Sequence, residues 1–182
     1  MLGGSFNPAH AGHLHISEYA LKTLRIGEIW WLVSPQNPLK SKDSMGDYVE
    51  RFASAQSITR HNRRIFVSNI EQRINTSYSY QTISTLKKLY PGTNFIWLMG
   101  ADNLAGFHRW QHWQSIIKLV PIVVFDRAPY SFTSISSKTY QRMHRFLLNN
   151  HNSTTGSPTP SLRFVRLKRD QHSSTCIRKM GF

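Results

Sequence analysis

The stretch Gly3-Gly4-Ser5-Phe6-Asn7-Pro8-Ala9-His10-Ala11-Gly12-His13 runs directly into residues 12–26, where apolar side chains recur at helical spacing. Glycines let the backbone approach a ligand closely, where a side chain would clash. A helix that begins at this point presents unpaired N–H groups, which bind phosphate. His10 and His13 lie three residues apart at the helix start, so we expect both imidazoles to face the same anion. This spacing favours a phosphate site over a glycine-rich turn with two surface histidines.

Short apolar runs alternate with amphipathic segments along the rest of the chain. The pattern predicts helices over 12–26, 47–60, 80–89 and 138–148, and strands over 28–34, 64–68, 94–99, 121–125 and 162–167. Alternating strands and helices indicate an α/β fold, with a doubly wound parallel sheet covered by helices on both faces. Ligands bind such sheets at the carboxyl ends of the strands.

The length of 182 residues predicts one domain over residues 1–182. Residues 149–161 are polar and rich in Ser, Thr and Pro, so we expect a flexible loop there. Met1 and Leu2 alone precede the glycines, and four residues follow Arg178. We therefore expect a shortened first strand and a shortened C-terminal helix.

The charge balance favours anionic partners. Lys and Arg number 23 against 9 Asp and Glu, which gives a formal net charge of +14. Such a field attracts nucleic acid, anionic membranes or phosphorylated small molecules. The single cysteine, Cys176, excludes an intramolecular disulfide. Because the chain shows no signal peptide and no apolar run long enough to span a bilayer, we expect a cytoplasmic protein that does not associate with membranes.

A second candidate phosphate site lies near the C-terminus, in His172-Ser173-Ser174-Thr175-Cys176-Ile177-Arg178. Ser and Thr before an apolar residue are typical of a helix N-terminus. Their hydroxyls, the helix N–H groups and the guanidinium of Arg178 would together hold a phosphate. Taken alone, the segment is more simply interpreted as a capped helix with an exposed arginine.

A third motif follows the predicted strand 94–99. Gly100-Ala101-Asp102-Asn103-Leu104 places a carboxylate at a strand end, where it can accept hydrogen bonds from ribose hydroxyls. Phe107, Trp110 and Trp113 follow, and tryptophan can stack on a flat heteroaromatic ring. The alternative is a helix face buried in the core, and the sequence leaves it open for Phe107 and one tryptophan.

These motifs resemble those of a known family. Gly4-Ser5-Phe6-Asn7-Pro8, His10-x-Gly12-His13 and the segment 172–178 are similar to the motifs of the H-x-G-H nucleotidylyltransferases. The block 100–113, the run 34–40 (S-P-Q-N-P-L-K) and Arg51 narrow the resemblance to the bacterial nicotinate-nucleotide adenylyltransferases, over nearly the whole chain.

The resemblance implies a Rossmann-like nucleotidylyltransferase fold. It also implies transfer of the adenylyl group of ATP to nicotinate mononucleotide, which yields nicotinate adenine dinucleotide and pyrophosphate in NAD biosynthesis. Mg²⁺ is expected, held mainly by the ATP phosphates, with no metal site built from protein side chains. No specific nucleic acid is expected as a partner, and the oligomeric state is left open, a homo-oligomer included.

Carried over residue by residue, the resemblance gives His13 and His10 the catalytic roles. The residues implied for ATP are Gly4, Ser5, Phe6, His10, His13, Gly100, Asp102, Ser173, Thr175 and Arg178. The residues implied for nicotinate mononucleotide are Lys40, Tyr78, Ser79, Trp110 and Trp113. One departure is Gln81, which stands where the family has an Asp able to cap a helix.

Other functions remain open at this point. Nicotinamide mononucleotide shares every phosphate and ribose contact with the acid, so one mismatched hydrogen bond decides between the two acceptors. Basic clusters at residues 60–64, 142–145 and 163–169 also fit a nucleic-acid-binding protein. A shortened, inactive relative is the third alternative, against which the intact histidine motif argues.

Overall fold

A parallel sheet organises the chain. The computed structural model describes residues 1–126, 136–147 and 156–167. The strands in these ranges are β1 (Leu2–Gly4), β2 (Ile29–Val33), β3 (Ile65–Ser68), β4 (Trp97–Gly100), β5 (Ile122–Asp126) and β6 (Leu162–Arg166). They form a six-stranded parallel sheet in the order β3-β2-β1-β4-β5-β6, which confirms the predicted α/β fold class.

Helices alternate with these strands. They are α1 (Ala11–Thr23), α2 (Tyr48–Thr59), α3 (Ile70–Arg73), α4 (Ser79–Leu89), α5 (Ala101–Gly106), α6 (Trp113–Leu119) and α7 (Lys138–Met143). Three short 3₁₀ turns lie at Lys42–Ser44, Phe107–Arg109 and His144–Phe146. Within the described ranges, no helix combines the length and the apolar character needed to cross a bilayer.

The chain divides into two compact units. The first, Leu2–Ser77, contains β1 to β3 and α1 to α3. In β2, Trp31, Leu32 and Val33 are fully buried. A strand that is buried on both faces carries a continuous apolar run rather than an alternating one. The run 28–34 therefore predicted this strand to within one residue at either end.

Helix α1 is shorter than its pattern predicted. Ile16 and Ala20 are buried as the apolar periodicity requires, but the helix ends at Thr23 rather than at residue 26. Leu24 caps the helix through its N–H, and Arg25 then adopts a left-handed backbone with φ of 53°. A left-handed residue just past the last turn is a common way for a helix to end.

The glycines of the opening stretch lie inside a strand, not in a turn after one. Gly3 and Gly4 belong to β1, where they pair with Leu32 and Val33. The ring of Phe6 folds back over Gly4, and a Cβ built on Gly4 would meet it at 3.5 Å. The sharp change of direction comes at Phe6, whose φ is 46°.

The second unit comprises Met1 and Tyr78–Arg169, of which residues 127–135, 148–155 and 168–169 lie outside the described part. Its strands β4 to β6 pair in parallel, with Trp97 opposite Ile122. The carbonyl of Met1 accepts a hydrogen bond from the Leu98 N–H at 2.8 Å. Helices α5 and α6 were not predicted as separate elements, since each is only one or two turns long.

The burial of β2 predicts a large difference between two strand positions of the first unit. Leu32→Ala removes a fully buried side chain and should lower the free energy of unfolding by about 2–5 kcal/mol. Phe66→Ala, on the edge strand β3 where the ring is 48% exposed, should cost about 1 kcal/mol or less. Urea unfolding of both variants checks this, and equal losses would contradict the assignment of the core.

Candidate active site

The loop between β1 and α1 is held in an uncommon backbone conformation. Phe6 has φ of 46°, a left-handed value that is rare for a bulky residue. Its ring is 2% exposed and stacks on Trp31, with ring centroids 4.8 Å apart and an interplanar angle of 17°. Such strain persists only where packing over-determines the conformation, and it clusters at functional sites. The buried stack therefore fixes the course of the backbone from Ser5 to Pro8.

The two histidines cap the helix reciprocally. His10 is the N-cap of α1, and its Nδ1 accepts from the Gly12 N–H at 3.1 Å. The Nδ1 of His13 accepts from the N–H of His10 at 3.3 Å. Each Nδ1 must lack a proton to accept these bonds, so Nε2 carries the proton in both neutral imidazoles. The cap thus makes both rings hydrogen-bond donors through Nε2.

The two rings lie together at the start of the helix. Their centroids are 3.8 Å apart, and His13 also contacts the ring of Phe6 at 4.8 Å. His10 is 4% exposed, whereas His13 is half-buried. No acidic residue lies in the first turn of α1, so nothing there competes with an anion for the positive end of the helix dipole. The arrangement fits a phosphate group at this helix terminus.

A hydrogen-bonded chain anchors the first turn of α1 to the sheet. The indole N–H of Trp31 donates to Ser17 Oγ at 2.8 Å, and Ser17 Oγ donates to the His13 carbonyl at 2.9 Å. Trp31 and Ser17 are both fully buried. Because Trp31 also stacks on Phe6, one side chain of β2 positions both the loop and the helix start.

Lys40 belongs to the same unit, on the segment that follows β2. Its side chain is exposed. Asn37 and Gln36 bond the Lys40 backbone, through the Asn37 carbonyl at 3.0 Å and the Gln36 side-chain amide at 3.1 Å. Five predicted site residues of the opening stretch (Gly4, Ser5, Phe6, His10 and His13) and Lys40 thus lie in the first unit.

The second unit holds the other described site residues. Gly100 ends β4 and is the N-cap of α5, and Asp102 lies exposed in the first turn of that helix. Tyr78 is the N-cap of α4 and is 39% exposed, and Ser79 begins the helix. Each thus lies at a helix start.

The aromatic block divides between core and surface. Phe107 is fully buried, so it belongs to the core and does not stack on a ligand ring. Trp110 is half-buried, held edge-on against Trp97 at 6.0 Å and against Phe107 at 5.1 Å. Trp113 is also half-buried and contacts Phe107 at 6.2 Å. Both tryptophan rings therefore keep part of their surface in contact with solvent.

Ser173, Thr175 and Arg178 lie outside the described residues, as does the part of the predicted loop at 149–155. The phosphate-binding roles of Ser173, Thr175 and Arg178 stay predictions, as does the assignment of residues 1–182 to one domain.

The contacts that Arg51 and Asn7 make with the loop were not predicted from the sequence. Arg51 is 3% exposed and donates a hydrogen bond to the Ser5 carbonyl at 2.5 Å, and Asn7 bonds the backbone near Gly46. Arg51 entered the sequence argument only through the family resemblance, because no periodicity reveals that an arginine is buried.

Comparison with known proteins matches the sequence of this chain to one family. The cytidylyltransferase-like family model matches residues 1–180. A probable nicotinate-nucleotide adenylyltransferase of Erythrobacter litoralis is 45% identical over 98% of this chain and 82% of its own length. Another of Cereibacter sphaeroides is 42% identical over 100% of this chain and 96% of its own length.

Solved structures agree on the fold. The Plasmodium falciparum nicotinic acid mononucleotide adenylyltransferase complexed with NaAD superposes with a TM-score of 0.74, at 18% identity, over 98% of this chain and 80% of that one. The same enzyme complexed with APC gives a TM-score of 0.71 at 17% identity, over 98% of this chain and 80% of that one. At these identities the likeness concerns the fold alone. The identity of the curated relatives over almost the whole chain, together with the family model, shows that this chain belongs to the nicotinate-nucleotide adenylyltransferases of the cytidylyltransferase-like family.

Proposed function

We propose that this chain transfers the adenylyl group of ATP to nicotinate mononucleotide, releasing pyrophosphate and forming nicotinate adenine dinucleotide. The observation that carries the proposal is the reciprocal cap of His10 and His13, in which Nδ1 of each ring accepts from a backbone N–H at a helix N-terminus and Nε2 carries the proton. The names of the relatives support the choice of acceptor.

The reaction needs charge stabilisation more than covalent chemistry. An oxygen of the acceptor phosphate attacks the α-phosphorus of ATP, and the bond from that phosphorus to the pyrophosphate oxygen breaks. Negative charge spreads over the transferring group in the transition state, so catalysis rests on positioning and on preorganised donors. The Nε2–H groups of His10 and His13 donate to the α-phosphate oxygens. Since the cap fixes both rings beforehand, little reorganisation is needed when the charge develops.

Other groups of the chain hold the remaining phosphates and the nucleoside. The backbone of Gly4, Ser5 and Phe6 contacts the phosphates of ATP, as the family resemblance implies. Gly100 and Asp102 contact the ribose. Ser173, Thr175 and Arg178 hold the β- and γ-phosphates, as the family resemblance implies.

The acceptor is assigned to a second set of residues. The half-exposed ring of Trp110 stacks on the pyridine, and Trp113 is the second candidate for contact with the acceptor. Backbone N–H groups at Tyr78 and Ser79, at the start of α4, bind the nicotinate carboxylate. The exposed ammonium of Lys40 pairs with the acceptor phosphate.

Mg²⁺ is proposed to enter with ATP. Among the residues that the structure describes, no three His, Cys, Asp or Glu side chains are grouped so as to hold a metal ion. The ligands proposed for the cation are the phosphate oxygens of ATP and water. When bound, the ion neutralises the phosphate oxygens and the departing pyrophosphate.

A direct assay tests the acceptor. Purified protein with ATP and Mg²⁺ should form dinucleotide chiefly from nicotinate mononucleotide when it is run in parallel with nicotinamide mononucleotide, measured by chromatography. The amide cannot offer a carboxylate to the N–H groups at Tyr78 and Ser79. Equal or faster turnover of the amide would show that the acceptor is the wrong one, and absence of both products would contradict the proposed reaction.

Substitutions of His13 distinguish the contribution of Nε2 to activity from that of Nδ1. His13→Ala should lower kcat about 10²–10³-fold with folding intact, because a charge-stabilising donor is lost. His13→Gln places an amide N–H near the position of Nε2 and should retain more activity than His13→Asn, whose amide reaches only the position of Nδ1. Steady-state kinetics and circular dichroism check this. A His13→Ala variant with near-normal kcat, or Asn more active than Gln, would contradict the assigned role of Nε2.

A further inference from the structure

The loop that bears the histidines is tied to a second loop by a buried arginine. The guanidinium of Arg51 donates four hydrogen bonds to backbone carbonyls, from Nη1 to Ser5 (2.5 Å) and Ser34 (2.9 Å), from Nη2 to Pro35 (2.9 Å) and from Nε to Gly46 (2.9 Å). Those carbonyls come from three separate stretches of the first unit. A planar guanidinium spans several acceptors at once, which a lysine ammonium does not do in a fixed geometry.

Asn7 makes a second connection between the same two loops. Its Nδ2 donates to the Ser44 carbonyl at 2.9 Å, and its Oδ1 accepts from the Gly46 N–H at 3.1 Å. A Cβ built on Gly46 would lie 3.1 Å from that Oδ1, tighter than ordinary contacts. Residue 46 therefore reaches Asn7 because it lacks a side chain.

The tied segment, residues 36–45, is bonded within itself. The Lys40 N–H donates to the Asn37 carbonyl, and the Asn37 N–H donates to the sulfur of Met45 at 3.5 Å. The Leu39 N–H also donates to Asn37 Oδ1 at 2.9 Å. The segment is held at both ends and has hydrogen bonds within it. The position of the Lys40 backbone therefore depends on how the whole segment is held.

We propose that Asn7, Gly46 and Arg51 form a latch that positions Lys40 relative to the histidine loop, so that the acceptor phosphate is held in register with the α-phosphate of ATP. The inference rests on the proposed function, which assigns Lys40 to the acceptor. The latch residues are positioning residues, because they act on the substrates through the two loops and not by contact.

The charge of Arg51 also suits this place. Burial lowers the pKa of Arg51, the nearby Asp47 carboxylate opposes that shift, and an arginine remains cationic at neutral pH. Burial raises the pKa of Tyr48, whose ring centroid lies 5.4 Å from Arg51 Cζ. Tyr48 is therefore neutral beside the cation. The buried positive charge beneath the Ser5 carbonyl adds to the attraction of the site for phosphate.

The kinetics of latch variants test the inference. Arg51→Lys keeps the positive charge but loses the planar guanidinium that reaches several carbonyls. Asn7→Ala loses only the two exposed hydrogen bonds to Ser44 and Gly46. Each should raise the KM for nicotinate mononucleotide about tenfold or more, with a smaller change in the KM for ATP. Arg64→Lys is the matched control. Arg64 also donates to backbone carbonyls of the first unit, at Gly27 and Ile26, away from both loops, and this variant should leave both KM values within about twofold.

A double-mutant cycle separates positioning from a general loss of stability. If the latch acts through Lys40, adding Arg51→Lys to a Lys40→Ala variant should hardly change the KM for nicotinate mononucleotide any further. Additive effects in the double variant, or a lower melting temperature with both KM values unchanged, would overturn the inference.

Amide hydrogen exchange, measured without substrates, tests the latch independently of whether the protein catalyses the proposed reaction. Exchange across residues 36–46 should be faster in Asn7→Ala and Arg51→Lys than in the unmodified chain and in Arg64→Lys. Unchanged exchange there would overturn the latch even if the protein is active. An unmodified chain that forms no dinucleotide contradicts the proposed function, and with it the role assigned to Lys40, whatever the exchange shows.

Discussion

The pair of hydrogen bonds that joins His10 and His13 to the backbone at the start of α1 is the constraint on which the rest of the site depends. An ordinary N-cap residue satisfies a helix N–H and has no further role. Here the capping atoms are ring nitrogens, so satisfying the backbone also decides which nitrogen of each ring carries a proton. The same two bonds end the loop and begin the helix, and in the proposed function they prepare two donors for an anion. Local folding and chemistry are therefore set together.

Buried neighbours make that arrangement rigid. Phe6 keeps its left-handed backbone because its ring is stacked on Trp31, and Trp31 reaches the His13 carbonyl through Ser17. Arg51 supports the other side of the loop at the Ser5 carbonyl. Residues that contact a ligand keep a productive geometry only when such a supporting layer locks them. In this chain the support comes mainly from β2 and α2, both packed in the first unit.

The sequence predicted those parts of the fold that depend on local pattern. The apolar run 28–34 and the helix over 47–60 were confirmed, because burial on both faces of a strand and on one face of a helix leaves a periodic trace. The glycines of β1 and the burial of Arg51 were not predicted in this way, since each depends on partners distant in the chain. Motif spacing brought His10 and His13 together correctly, yet it did not reveal that each ring nitrogen caps a backbone N–H. For Ser173, Thr175 and Arg178 the motif remains a prediction.

The ¹⁵N resonances of the histidine side chains test the central claim most directly. Labelled protein near neutral pH, with His10 and His13 assigned through single substitutions, should show both rings neutral, with Nδ1 unprotonated and Nε2 protonated. Addition of a non-hydrolysable ATP analogue should then shift the Nε2 resonances more than those of Nδ1. A protonated Nδ1 in either ring, or Nε2 resonances that do not shift when the analogue is added, would contradict the claim that the helix cap prepares these histidines to donate to phosphate.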